Sequence, residues 1–502
     1  MRLTELIDRP IGADAACDVE ITGLSADSRL VRPGFLFAAL AGTRQHGRAF
    51  VAEAVARGAV AILTDDAAAL ALPPDRAAGI TVISDANPQR RLAQFAARFY
   101  GRQPHIVAAV TGTNGKTSIV HFTREIWAAC GHPAASLGTL GLVTATGRRP
   151  GALTTPDPVA LQRDLAALAG RGIEHLAIEA SSHGLAQFRL DGLSVAAAAF
   201  TNLTRDHLDY HRDMAHYRAA KDRLFTDLLA PGGPAVLNRD SGEFARLAAL
   251  CRGRGHPVLG YGAAAGAELR LVSARARLDG QDLLLDVTGR RHELFFPLLG
   301  EFQATNALCA LGLAIATGMP AELATAALAR LSRVPGRLEF VAGLEFGSKD
   351  GGGASIVVDY AHTPDALATV LAALRPHAPG RLVVVFGCGG DRDPGKRPLM
   401  GRAAAAAADR VYITDDNPRG EDPAAIRRAI LAAAPAAIEI GDRRQAIETA
   451  IAGLGRGDLL LIAGKGHETG QIIGAESRPF DDAEVARTCA LRRRAPGLQP
   501  AG

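Results

Sequence analysis

IVAAVTGTNGKTSIVHFTREIWAAC, residues 106 to 130, reads as one strand, one loop and one helix. IVAAV (106 to 110) is an apolar run of strand length, and SIVHFTREIWAAC (118 to 130) spaces its apolar residues at the helical period. VTGTNGKTS (110 to 118) joins the two, so backbone N–H groups and the helix N-terminus point at one place, a cradle for phosphate. Gly112, Thr113, Asn114, Gly115, Lys116 and Thr117 are therefore candidate ATP contacts, Lys116 for the β and γ phosphates and Thr117 for a magnesium ion. The common spacing of such loops would place glycine at Val110, so this is a variant.

The same alternation recurs outward in both directions. HLAIEA (175 to 180), VAAAAFTN (195 to 202), RLVVVFG (381 to 387), RVYITDD (410 to 416) and DLLLIAG (458 to 464) are apolar runs with chemistry-bearing residues just after them. Apolar strands alternating with Ala-rich helical segments predict an α/β fold with doubly wound, mainly parallel sheets, whose ligands sit outside the carboxyl ends of the strands. YGRQP (100 to 104) and SRVPGRLEF (332 to 340) read as boundaries. Three domains follow: 1 to 100, small and α/β; 101 to 335, the P-loop sheet; and 336 to 502, Rossmann-like.

Bulk properties exclude more than they assign. With 56 Lys and Arg against 52 Asp and Glu, the net charge of +4 is small for 502 residues, and no basic block points to nucleic acid. The start MRLTELIDRP lacks the apolar core of a signal peptide, and no apolar run is long enough to span a bilayer. Six cysteines, Cys17, Cys130, Cys251, Cys309, Cys388 and Cys489, show no CxxC spacing, which fits a reducing cytoplasm.

EASSHGL (179 to 185) and TNLTRDHLDYHRDMAHYRAAKDRLF (201 to 225) each follow a strand, so Glu179 and His207 are expected to converge beside Thr117 on a second magnesium ion. Together VTGTNGKT, EASSHGL, DHLDYH with AAKDRLF, and FPLLGEFQATNA (296 to 307) resemble the central domain of the Mur ligases. The resemblance implies that Lys221 is carbamylated to N6-carboxylysine and holds magnesium with Thr117, Glu179 and His207. Lys116, Lys221, His207 and Glu179 are then the catalytic set. It also implies ATP contacts at Asn306, Arg337 and Asp359. Gln303 stands where the family usually has Asn, while Asn306 is kept.

LSADSR (24 to 29) resembles the domain that holds the UDP portion, with Ser28 near the nucleotide; a turn-capping serine is the alternative. TTPDP (154 to 158) has the residues that start a helix, and by resemblance Thr154, Thr155, Ser181, Gln187 and Arg189 bind the muramoyl peptide. In the C-terminal third, GCGGDRDPGKRPLM (387 to 400), TDDNPRGEDP (414 to 423) and AGKGHE (463 to 468) resemble the branch that adds meso-2,6-diaminopimelate. Arg392, Asp416, Asn417, Pro418, Arg419, Gly464 and Glu468 would hold that amino acid, Arg419 pairing with its distal carboxylate.

The expected activity is ATP-dependent amide-bond formation, joining meso-2,6-diaminopimelate to UDP-N-acetylmuramoyl-L-alanyl-D-glutamate through an acyl phosphate, in a cytoplasmic monomer that uses Mg2+. The alternatives are addition of L-lysine, a folate polyglutamate substrate, or a non-catalytic nucleotide-gated binding protein.

Overall fold

The computed structural model describes residues 1–7, 18–42, 45–70, 72, 79–207, 210–277, 279–345 and 353–494. Cys17, Leu208 and Asp209 of the motifs above lie outside these. The chain packs as two compact units, Met1–Gly260 with Gly312–Pro320, and Tyr261–Leu311 with Ala321–Gly502.

The first unit opens with a four-stranded parallel sheet, β1 (Gly23–Ser25), β2 (Phe35–Ala38), β3 (Ala59–Thr64) and β4 (Thr81–Ser84), in the order β1-β2-β3-β4. Leu36, Ala38, Ala61 and Leu63 fill one face with Phe95 and Leu92 of the helix Pro88–Tyr100, and Phe37 and Ile62 pack on the other. The alternation is the sheet period of two, with a separate core on each side.

The larger sheet of this unit is built on β5 (Ile106–Thr111), β6 (Ala134–Gly138), β7 (Gly141–Thr144), β8 (Gly147–Arg149), β9 (His175–Glu179), β10 (Ala197–Phe200) and β11 (Ala235–Asn238), in the order β11-β10-β5-β9-β6-β7-β8. The run from β11 through β6 is parallel, and β7 and β8 turn back as antiparallel edge strands. β5 is thus flanked by β9 and β10, and the loops leaving all three at their carboxyl ends are neighbours. Val107, Ala109, Leu176 and Ile178 share one core with Leu161, Leu165 and Leu168 of the helix Pro158–Gly170, all but inaccessible to water. Each buried Leu or Ile there contributes roughly 1.5–3 kcal/mol. Asp157 caps that helix by accepting from Val159 and Ala160 N–H, with Pro158 at its first turn, as TTPDP predicts.

β12 (Val258–Gly262) carries the chain out of the first unit, and β13 (Leu269–Ala276), β14 (Gln281–Val287) and β15 (Arg290–Phe296) form an antiparallel meander. The second unit's main sheet comprises β16 (Glu339–Glu345), β17 (Gly353–Asp359), β18 (Leu382–Phe386), β19 (Arg410–Ile413), β20 (Ile438–Glu439) and β21 (Leu459–Ala463), ordered β16-β17-β21-β18-β19-β20. Only β16 is antiparallel. Val384, Phe386 and Leu461 pack on one face against Leu367, Met400 and Ile426, while Val383, Val385 and Leu460 pack on the other against Ile447 and Val485. Helices on both faces make this sheet doubly wound, the class expected from the sequence. The five cysteines described are all free.

Candidate active site

In the first unit the loop after β5 is shaped by two glycines. Gly112 has φ +138°, and a Cβ there would lie 1.8 Å from the Thr201 hydroxyl; Gly115, with φ +89°, caps the helix Lys116–Ala129. Only glycine lets the backbone pass this close to β10. Thr201 donates to Asn114 O at 2.6 Å, and Asn114 N donates to the Asn202 side chain at 2.9 Å, so the loops after β5 and β10 are tied together. Thr113 Oγ1 accepts from Thr204 N at 3.0 Å and lies 3.2 Å from the Tyr217 hydroxyl.

Two amines converge on one carbonyl of this loop. Lys116 Nζ donates to Gly112 O at 2.9 Å and Thr113 O at 2.7 Å, and Lys221 Nζ donates to Gly112 O at 2.7 Å. Lys221 is 1% exposed, and its Nζ stands 4.3 Å from the ring centroid of Tyr217. Burial first, and the neighbouring Lys116 charge second, push the Lys221 amine well below the usual lysine range. Such an amine gives up its proton more readily than an exposed lysine and is the better nucleophile for it, whereas the sequence alone shows only a lysine on a helix.

Glu179, at the end of β9, is in register with Val110 of β5 and 1% exposed. Thr139 positions its carboxylate, donating N–H to Oε1 at 2.7 Å and its hydroxyl to Oε2 at 3.2 Å. His207 has φ +54°, and its ring meets that of His183 edge to face at 4.8 Å, linking the loop after β10 to the loop after β9. Each carboxylate oxygen of Glu179 accepts one bond and retains a free lone pair. The Glu179 carboxylate thus offers hard oxygen donors of the kind magnesium takes.

The residues read as a substrate grip form one network. Thr155 Oγ1 donates to Glu179 O at 2.9 Å and lies 2.9 Å from Ser181 Oγ, while Thr154 Oγ1 lies 3.2 Å from Thr139 Oγ1. Arg189 donates to Thr155 O at 2.6 Å and to Gln187 Oε1 at 3.0 Å, and Gln187 in turn donates to the Tyr210 hydroxyl at 3.1 Å. No salt bridge among the described residues includes Arg189, so its half-buried guanidinium is open to a substrate carboxylate. Ser28 stands apart from this network: its hydroxyl donates to Glu53 at 2.7 Å, and the turn is capped by Ser25 and Asp27 instead.

In the second unit, Asp359 ends β17 and accepts from Leu338 N at 2.7 Å and Ala361 N at 2.8 Å. Burial raises its carboxyl above the ordinary range, against the lowering effect of Arg337 and the two N–H donors. Arg337 stacks 4.5 Å from the Tyr360 ring centroid. Gln303, buried, donates to Arg337 O at 3.2 Å and accepts from Asn306 at 3.1 Å. The residue that departs from the family pattern is thus the link between two of the expected ATP contacts.

The loops after β18, β19 and β21 meet around Asn417. Its side chain donates to Glu468 at 3.0 Å and accepts from Lys465 Nζ at 3.1 Å and Ile472 N at 2.9 Å. Lys465, fully buried, also reaches Glu468 at 3.2 Å and Gly470 O at 2.6 Å, a role that its place between two glycines in AGKGHE does not signal. Beneath them Arg443 and Asp482 form a buried ion pair at 2.7 Å. Gly464 has φ +112°, and a Cβ would come within 2.6 Å of Asp416 Oδ2.

Arg419 sits at φ +52°, held by its N–H donating to Ile472 O at 3.1 Å and its carbonyl accepting from Gly474 N at 2.8 Å. Its guanidinium donates to Gly390 O at 2.8 Å. Neither Arg419 nor Arg392 takes part in a salt bridge among the described residues, whereas Arg397 pairs with Glu421 and Lys465 with Glu468. A left-handed backbone at a non-glycine residue costs about 1–2 kcal/mol, and here it aims a guanidinium free of acidic partners.

Three family models match this chain: the Mur ligase family catalytic domain over residues 20–100, the Mur ligase middle domain over 110–314, and the Mur ligase glutamate ligase domain over 336–466. The chain is 52% identical over 501 residues to UDP-N-acetylmuramoyl-L-alanyl-D-glutamate--2,6-diaminopimelate ligase of Bradyrhizobium diazoefficiens, covering 98% of this chain and 100% of that one. It is 50% identical over 493 residues to the protein of the same name from Caulobacter vibrioides, covering 97% and 98%. A solved structure of a ligase with that name superposes with a TM-score of 0.72 at 32% identity, covering 98% and 99% of the two chains. The MurF ligase of Thermotoga maritima in complex with ADP, at 18% identity and TM-score 0.63 over 94% and 96%, shares the fold.

Proposed function

The chain belongs to the Mur ligase family, and from that premise we propose that it joins meso-2,6-diaminopimelate to UDP-N-acetylmuramoyl-L-alanyl-D-glutamate, using ATP, in peptidoglycan precursor synthesis. We divide it functionally at residues 100 and 335 into UDP-substrate, ATP and amino-acid domains. The observation that carries the ligase reading is Lys221, a buried amine bonded to the phosphate loop itself, its pKa lowered by that burial.

The γ-carboxylate of D-glutamate attacks the γ-phosphorus of ATP, releasing ADP and forming an acyl phosphate. The amine of diaminopimelate then adds to the acyl carbon, phosphate leaves, and the amine loses a proton. Lys116 offsets phosphoryl charge, and Arg189 holds a carboxylate of the muramoyl peptide. Lys221 Nζ takes up CO2, losing a proton to become a carbamate. That carbamate, Glu179, Thr117 and His207 would hold magnesium, which supplies charge neutralisation at the phosphates. Asn306, Arg337 and Asp359 contact ATP.

Arg419 selects the amino acid. Its partner is the carboxylate that diaminopimelate has and lysine lacks, and Arg392, Asp416, Asn417 and Glu468 receive the rest of the amino acid. No helix of the described residues is long and apolar enough to cross a membrane, and we assign the enzyme to the cytoplasm, where its nucleotide substrates are made.

The test is phosphate release from ATP with UDP-N-acetylmuramoyl-L-alanyl-D-glutamate, comparing meso-diaminopimelate with L-lysine in the native chain and in Arg419→Ala. Strong preference for diaminopimelate that Arg419→Ala abolishes is expected. Equal use of lysine by the native chain would overturn the role of Arg419, and no turnover with either would overturn the ligase reading.

A further inference from the structure

The helix Lys116–Ala129 and strand β9 each carry a catalytic candidate at one end, Lys116 with Thr117 and Glu179. Their other ends meet as well, at the amino-terminal edge of the sheet, about 13 Å along β9 from Glu179. There His132 follows the helix, and Glu174 and His175 open the strand. His132 N donates to Trp127 O at 3.0 Å, while Glu174 N and His175 N donate to Pro133 O at 3.1 and 3.2 Å, so backbone bonds fix the two segments against each other.

The side chains above this backbone converge. The rings of His132 and His175 are 4.7 Å apart, His132 Nδ1 is 3.9 Å from Glu174 Oε2, and one ligand atom from each of the three residues lies within 4.8 Å of the others. His175 is 5% exposed, packs 5.1 Å from the Trp127 ring, and has a buried Nδ1 with no hydrogen-bond partner. Leaving such an atom unmet costs about 1–3 kcal/mol, and nothing in the proposed ligase chemistry uses it.

We propose that His132, Glu174 and His175 form a binding site for a divalent transition-metal ion of the zinc class, distinct from the magnesium at the phosphate loop. Two imidazoles and one carboxylate suit Zn2+, Co2+ or Ni2+, whereas magnesium prefers oxygen donors throughout. Ligand atoms around tetrahedral zinc stand roughly 3.4 Å apart, given bonds of about 2.1 Å. Glu174 is exposed and His132 partly so, so modest rotamer changes in these two close the set on His175, which packing holds still. The C-terminal end of the helix, where its dipole is negative, also favours a cation. A fourth position remains for water.

Trp127 is the chain's single tryptophan, which makes the site self-reporting. The full chain, with excess Mg2+ present, is titrated with Ni2+ while Trp127 emission is followed, and with Zn2+ in a calorimeter. Saturable quenching and one bound ion per chain are expected. His132→Gln and Glu174→Gln should each weaken both signals by at least about tenfold while leaving ATP turnover unchanged. Should one variant fail to fold, the other decides. Absent quenching, or affinities unchanged in the folded variants, overturns the site.

Discussion

The amine of Lys221 and the carbonyl of Gly112 are 2.7 Å apart, a contact made across 109 residues of chain and shielded from water. Because burial holds the Lys221 pKa below its unfolded value of 10.5, the chain gives up stability at pH values below 10.5 in placing this amine where its charged form is disfavoured. Stability should rise with pH between the folded and unfolded values. Lys221→Met removes the cost, so in CO2-depleted buffer at neutral pH its Tm should rise by roughly 2–4 °C while turnover falls by about 100-fold or more. A Tm below that of the native chain would contradict a desolvation cost at this amine.

Gly390 tests the amino-acid loop while leaving the Arg419 side chain unchanged. A Cβ there would stand 1.9 Å from Pro418 O, so Gly390→Ala must displace the backbone that aims Arg419. Steady-state kinetics should show KM for diaminopimelate rising about tenfold or more, with KM for ATP little changed. Equal change in both would mean that the loop is not specific to the amino acid.

Gln303→Leu should cost about 1–3 kcal/mol, measured by urea unfolding, because Asn306 loses its acceptor and Arg337 O its donor in a buried place. Gln303→Asn, one methylene shorter, should lose only one of the two bonds and about half of that.

His377 gives the second unit an acid limb. Its Nε2 accepts from Gly300 N at 3.1 Å and its Nδ1–H donates to Arg277 O at 2.7 Å, an arrangement that requires the neutral ring. Burial lowers its pKa below 6.5, so the associated stability is complete above that value and is lost as pH falls through it towards the folded value. The urea midpoint should therefore drop between about pH 7.5 and about pH 5.5, and drop less in His377→Gln, which can donate and accept without titrating.

The strands and their motif loops were legible because their signals are local. Apolar runs starting at 106, 175, 381, 410 and 458 become strands within a residue or two, and glycines at 112, 115 and 464 mark positive φ. Lys465, Thr139, Tyr217 and Gln303 had no such signal. Their roles arise only when separate loops approach, as Thr139 does to Glu179 or Lys465 to Asn417. Ser28 shows the converse: a serine in a turn reads equally as a cap or a ligand, and the structure gives its hydroxyl to Glu53. The lowered pKa of Lys221 is likewise a property of burial, which a helical lysine does not announce.

The placing of β5 between β9 and β10 bears on how the protein is made. A ribosome delivers residues 106–130 early, yet the strands that flank β5 begin only at residues 175 and 197, and the amine that meets its loop comes at 221. Until then the nascent chain exposes an apolar strand with both edges unpaired, a template for wrong partners. Synthesis interrupted before Lys221 would yield a phosphate loop without its site, and such truncated chains are the ones that chaperones would be expected to hold.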